Sequence, residues 1–346
     1  MAKSEKNTGW PGFFRLFAVL CAILCLLARQ GAALSAATAG DQRVFRIYVL
    51  LTLWAVPALF MLWGMSALED GRSASLSGML LGYALPALVT LIVWGAVYAV
   101  TAHLLGGGSF SLPLIWQKLR AAARGSSPTY LSMLYSLIGL YLVLPVLRRF
   151  TASASRGEVL WFLALCFVIS SVLPRWLALR PNDLLPLLLD RLNVPMVAGY
   201  VGYFVGGWYL HHYVISRVSE YILYILGVAG LAVTLMADRF PGLSLDTYTA
   251  PGVACTAAAL CTLFRYVLGI SEERSRRRAV YNLGRYAFGV YLVHQLWVLI
   301  FRWFGASLLA FPAVLSVPFF ALIYFALSVP FALLIGLIPG VGGWLT

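Results

Sequence analysis

The chain has 346 residues, of which 62% are hydrophobic and only 11% charged. A soluble domain carries about 25% charged residues, so the composition excludes an ordinary soluble enzyme. The net charge of +13 does not make a nucleic-acid binder. The basic residues are scattered singly and in pairs between apolar stretches, with one dense cluster at Arg274, Arg276, Arg277 and Arg278 beside Glu272 and Glu273. Enrichment of cytoplasmic loops in Lys and Arg accounts for such an excess, and no nucleic-acid partner is expected.

In chain order, stretches free of Asp, Glu, Lys and Arg recur at lengths close to the roughly 20 residues that cross a hydrocarbon core as a helix. They predict ten spans, at 13–34, 46–68, 76–101, 129–149, 157–174, 195–215, 220–237, 250–268, 283–303 and 313–338. Backbone groups cannot go unpaired in lipid, so the spans are helices. The expected fold is all-α: a polytopic membrane protein of about ten transmembrane helices, one integral membrane domain over 1–346.

The first span begins like a secretory signal, with the basic MAKSEKNTGWPGFFR, an apolar core at 16–28 and a small-residue run ALSAATAG. Nine further spans follow, so an uncleaved first helix is expected. With the N-terminus cytoplasmic, the loops holding Arg148 and Arg149 and the 274–278 cluster fall on the same, cytoplasmic side of a cell (inner or plasma) membrane. Pro57, Pro86, Pro145, Pro318 and Pro330 lie within spans, where proline is tolerated better than in soluble helices. The loop between spans five and six, PRWLALRPNDLLPLLLDRLNVP, holds an amphipathic piece suited to the membrane surface. Cys21, Cys25, Cys166, Cys255 and Cys261 all fall in apolar stretches; neither a disulfide nor a metal site is expected.

The ninth span is the unusual one. LGRYAFGVYLVHQLWV at 283–298 carries an arginine, a histidine and two tyrosines at membrane depth, where ionisable groups are expensive. On a helix Ala287, Tyr291, His294 and Val298 form one stripe with Trp297 beside it. Arg285 lies nearer the entrance, on the opposite side. Two readings stand open: Arg285 snorkels and His294 bonds a neighbouring helix, or His294 is an acid or base in a polar cavity.

LGRYAFGVYLVHQ at 283–295 resembles the late-span signature of the acyltransferase-3 family of integral membrane acyltransferases. LYSLIGLYLVLPVLRRF at 134–150 is similar to that family's middle span, AVPALFMLWGM at 55–65 to its second and GYFVGGWYLHHY at 202–213 to its sixth. The four segments follow in order across essentially the whole chain. The resemblance implies transfer of an acetyl or succinyl group from acyl-CoA, as donor substrate, to a hydroxyl of a cell-envelope glycan or lipid-linked sugar, without a metal. The span-nine signature together with the polar stripe makes His294, with Tyr291 as its neighbour, the candidate catalytic residues, and Arg15, Arg285 and Tyr135 the candidate substrate-binding ones. Membrane lipid, acyl-CoA and the sugar acceptor are the implied partners.

The chain also departs from the family pattern. Arg15 matches the first-span arginine, but the histidine usual eleven residues later is Leu26. The basic pair before the third span is absent, with only Arg72 nearby. Tyr130 holds the middle-span histidine position, and Trp63 replaces a small hydroxyl residue before Gly64. Leucine can neither take a proton nor donate a hydrogen bond. The alternative is therefore an inactive family member that serves as a polysaccharide exporter or scaffold.

Overall fold

The computed structural model describes residues 10–69, 75–123, 129–180, 197–268, 283–340 and 342–345. Arg72, Arg124, the 274–278 cluster on which the orientation rests and residues 181–196 of the amphipathic loop lie outside them. The described residues contain helices and no strand. The helices are α1 (Trp10–Ala32), α2 (Ala39–Thr52), α3 (Ala55–Glu69), α4 (Leu76–Leu105), α5 (Leu112–Ala123), α6 (Ser132–Leu142), α7 (Leu144–Ser153), α8 (Arg156–Leu179), α9 (Val201–His212), α10 (Arg217–Leu235), α11 (Pro251–Leu268), α12 (Ala287–Trp303) and α13 (Ala313–Gly336). The protein is an all-α polytopic membrane protein.

Ten full-length spans were expected. Seven helical segments among the described residues are long and apolar enough to cross a membrane, or eight if α6 and α7 count as one broken span. The expected sixth and ninth spans are the shorter helices α9, of 12 residues, and α12, of 17. At 1.5 Å per residue they reach roughly 18 and 25 Å, less than the roughly 30 Å of a hydrocarbon core.

Prolines set local geometry. α4 carries a π turn at Leu80–Ala84 and α8 another at Val168–Val172. Each turn contains the residue four before a proline, Gly82 before Pro86 and Ser170 before Pro174. A proline ring clashes with the carbonyl four residues back and offers no N–H, and the wider turn accommodates both. Pro145 stands at the start of α7, just after the break at Val143. α8 opens on a capping box in which Ser155 Oγ accepts from the Glu158 N–H and the Glu158 carboxylate accepts from the Ser155 N–H.

The chain forms two compact units. The first comprises Met1–Phe14, Leu50–Gly71 and Val143–Arg276, the second Arg15–Val49, Arg72–Leu142 and Arg277–Thr346. In the first, α9 packs on α3 with almost no side chain between the backbones. A Cβ at Gly64 would lie 1.8 Å from the Phe204 carbonyl oxygen, and one at Gly207 2.1 Å from that of Met61. α10 and α11 approach through Gly230 and Gly252 in the same way. Helices in lipid gain little from apolar association and rely on such close packing.

Buried and partly buried cations of this unit donate mainly to backbone carbonyls. Arg175 donates to Ser170, Ser171 and Ser244 carbonyls and to Thr247 Oγ1. Arg265 donates to Leu210 and Tyr213 carbonyls, and Arg148 Nε to the Ala67 carbonyl at 2.7 Å. His211 and His212 both meet Glu69, at 3.4 and 2.9 Å. In the second unit α12 packs against α13 and α4, while Tyr48 Oη donates to the Val314 carbonyl at 2.7 Å.

Gly207→Val drives a branched side chain into the Met61 backbone. It should lower stability by about 1–3 kcal/mol or more, read as a fall in the thermal unfolding midpoint in detergent; Gly242→Val, where a Cβ meets nothing within 4 Å, should leave the midpoint near wild type.

Candidate active site around His294

α12 starts after a short helical turn at 283–285, and its first half is the buried half: Val290 to Gln295 are all buried. His294 is 1% exposed. Its Nδ1 faces the Tyr291 carbonyl oxygen one turn back. A carbonyl only accepts, so Nδ1 carries the proton and, in the neutral ring, Nε2 keeps the lone pair. Nε2 is buried with no hydrogen-bond partner among the described residues.

Aromatic neighbours hold this ring in place. The Tyr291 ring lies 5.3 Å from the His294 ring, and Tyr291 Oη donates to the Tyr130 carbonyl at 3.0 Å. The Tyr130 ring stands edge-on to Tyr98 at 4.9 Å. Tyr98, from α4, donates its hydroxyl to the Leu292 carbonyl of α12. Next along α12, Gln295 is 5% exposed and its Oε1 accepts from Gln30 Nε2 of α1 at 3.1 Å. Trp297, three residues beyond His294 and so on the same face, packs edge-on to Phe331 at 5.0 Å. Trp297 Nε1 is likewise buried without a hydrogen-bond partner among the described residues.

Buried polar atoms are almost always satisfied. Here a lone pair and an N–H, three residues apart on one helix face, both lack partners among the described residues.

The arginines form a second group. Arg15 Nη1 lies 3.4 Å from the Gly284 carbonyl oxygen, beside Arg285, which is exposed. Gly284 and His294 are ten residues apart in sequence, roughly 15 Å along a helix. The structure thus brings Tyr291 to His294 and Arg15 to the neighbourhood of Arg285, but keeps the pairs well separated. Tyr135 stands on α6, 42% exposed, and makes no hydrogen bond to either pair among the described residues. Leu26 is partly buried on α1, one turn before Gln30.

A family model described as an acyltransferase domain matches residues 8–337. The chain belongs to the acyltransferase-3 family. The match covers nearly the whole sequence and carries a membrane acyltransferase as the general activity of the family. No curated protein matches, and no solved structure does.

Sequence reading passed over Tyr98, Gln30 and Gln295. The only available signal was polarity within apolar stretches, which for the two amides is plain once helix faces are known. No set of His, Cys, Asp and Glu able to hold a metal occurs among the described residues.

The Gln30–Gln295 contact should couple α1 to α12. A double-mutant cycle of Gln30→Ala and Gln295→Ala, followed by unfolding in detergent, is expected to give a coupling of about 0.6 kcal/mol, the usual size for hydrogen bonds between membrane helices.

Proposed function

We propose that the protein transfers an acetyl or succinyl group from acyl-CoA to a hydroxyl of a cell-envelope glycan or lipid-linked sugar, with His294 Nε2 as general base. The observation that carries this reading is the buried, unpartnered Nε2 whose ring is fixed by the Tyr291 carbonyl. The family match supports acyl transfer in general.

A sugar hydroxyl is a poor nucleophile until a base takes its proton. In the proposed step Nε2 accepts that proton as the oxygen attacks the thioester carbonyl. The C–S bond then breaks, and the coenzyme A thiolate leaves and is protonated by the imidazolium. In this reading Trp297 Nε1–H, which has no partner among the described residues, donates to the acceptor oxygen. Tyr291 acts as a positioning residue, because its hydroxyl proton is engaged by the Tyr130 carbonyl and its own carbonyl orients His294.

Arg15 and Arg285 are the proposed phosphate-binding groups for coenzyme A. The roughly 15 Å between them and His294 suits a donor whose phosphates are separated from its thioester by the pantetheine arm. With the N-terminus cytoplasmic, these arginines face the compartment that supplies acyl-CoA. His294 then lies roughly half the hydrocarbon thickness deeper, near the bilayer midplane.

Purified protein given acetyl-CoA or succinyl-CoA and a glycan acceptor should release free coenzyme A. His294→Ala should lower that release by about 10²–10⁴-fold, the usual weight of a general base, while Arg15→Gln raises KM for the donor with a smaller change in kcat. Release from His294→Ala at the wild-type rate sinks the assignment. A deletion strain that keeps every acyl group on its glycan yet fails to bring the glycan to the surface would favour the exporter reading instead.

A further inference from the structure

The first unit holds a cleft that the acyl-transfer reading does not use. It has a volume of about 490 Å³ and is walled by α8, α9, α10 and α11, within the roughly 300–1,000 Å³ typical of ligand sites. Along α8 it runs from Arg156 to Ser171, fifteen residues or roughly 22 Å. That exceeds the roughly 15 Å of one leaflet, half a hydrocarbon core. Its floor is kept low by Gly202, Gly206 and Ala258. Leu160, Phe167 and Ile222 stand in its wall and are 46%, 37% and 50% exposed, so the cleft opens to the outside along its flank.

The polar lining is sparse: Ser170, Ser171, Tyr203 and Thr249, with Ser219 from α10 and Arg156 and Tyr209, which meet from α8 and α9. Arg156 is the one charged residue among those lining the cleft. Its Nε donates to Tyr209 Oη at 2.9 Å, and its guanidinium lies over the Tyr209 and Tyr213 rings at 5.8 and 5.5 Å. Both terminal nitrogens have no hydrogen-bond partner among the described residues. The nearby Glu158 carboxylate is engaged in capping α8.

A long apolar slot, open sideways and headed by one oriented guanidinium, has the chemistry of a lipid bearing a net negative phosphate. We propose that this cleft binds one anionic phospholipid, with an acyl chain laid along α8 and the phosphate on Arg156. The proposal is independent of the acyl-transfer reading, and its test does not use activity.

The probes are phosphatidylglycerol and the zwitterionic phosphatidylcholine, each added to detergent-purified full-length protein and read by native mass spectrometry. Wild type should retain one phosphatidylglycerol in preference to phosphatidylcholine. Gly206→Leu, whose added Cβ would meet only Leu163 Cδ2 at 3.6 Å, places a branched side chain in the cleft and should abolish that retention. Arg156→Gln should weaken phosphatidylglycerol binding by roughly tenfold, the order expected for one charge-assisted contact, and leave phosphatidylcholine unchanged.

Cys255 gives a second readout that does not need the leucine variant to fold. It lines the cleft and is partly exposed, whereas the other four cysteines are buried. Phosphatidylglycerol should slow its alkylation by a small maleimide, and phosphatidylcholine should not. Equal retention of the two lipids by wild type, undiminished retention by Gly206→Leu, or alkylation indifferent to phosphatidylglycerol would each overturn the proposal.

Discussion

At membrane depth a polar group has no water to fall back on, and every helix of this protein is arranged around that constraint. Backbone groups are satisfied within the helices. Side chains that carry charge reach for carbonyls that bends, breaks and helix ends make available. Arg175 collects the Ser170 and Ser171 carbonyls from a π turn and the Ser244 carbonyl from a loop. Arg265, itself in a π turn, takes the Leu210 and Tyr213 carbonyls at the end of α9. Irregular backbone and buried cations therefore occur together, because each supplies what the other lacks.

The same rule makes His294 stand out. Three residues around it are satisfied, Tyr98 on the Leu292 carbonyl, Tyr291 on the Tyr130 carbonyl and Gln295 on Gln30. His294 uses one nitrogen in this way, and the other, like Trp297 Nε1, has no partner among the described residues. A histidine kept only to fasten two helices would be expected to spend both nitrogens, or to be replaced by an apolar residue of similar size at little cost. In the proposed mechanism this network, which fixes the ring and leaves its lone pair without a partner among the described residues, is what preorganises the base.

Much of this was legible in the sequence. The charge-free stretches of membrane length located the long helices, and the 283–295 segment marked the family that the full-length match shows. The stripe of Tyr291, His294 and Trp297 follows from helical periodicity alone. Hydropathy overestimated α9 and α12, since an apolar run longer than its helix reads as a full span whichever way the ends unwind. The separation of Arg15 and Arg285 from His294 was also hidden, because Arg285 stands just before α12 while Arg15 reaches the adjacent Gly284 carbonyl from α1. Tyr98 and Gln30 were invisible for a different reason: their partners lie 194 and 265 residues away, and nothing local in VWGAVYAV or LLARQGA announces a contact at that range.

Leu26 sharpens the role of α12. The family pattern places a first-span histidine there, and a leucine can supply no part of its chemistry. Yet α1 still contributes to the site, one turn later, through Gln30 and its bond to Gln295. An amide can orient and hydrogen-bond, but it does not take up a proton near neutral pH. Under the proposed mechanism the first helix orients without titrating, and the proton goes to the imidazole of α12. Gln295 is the residue directly after His294, so the contact that α1 keeps falls on the same turn of α12 as that imidazole.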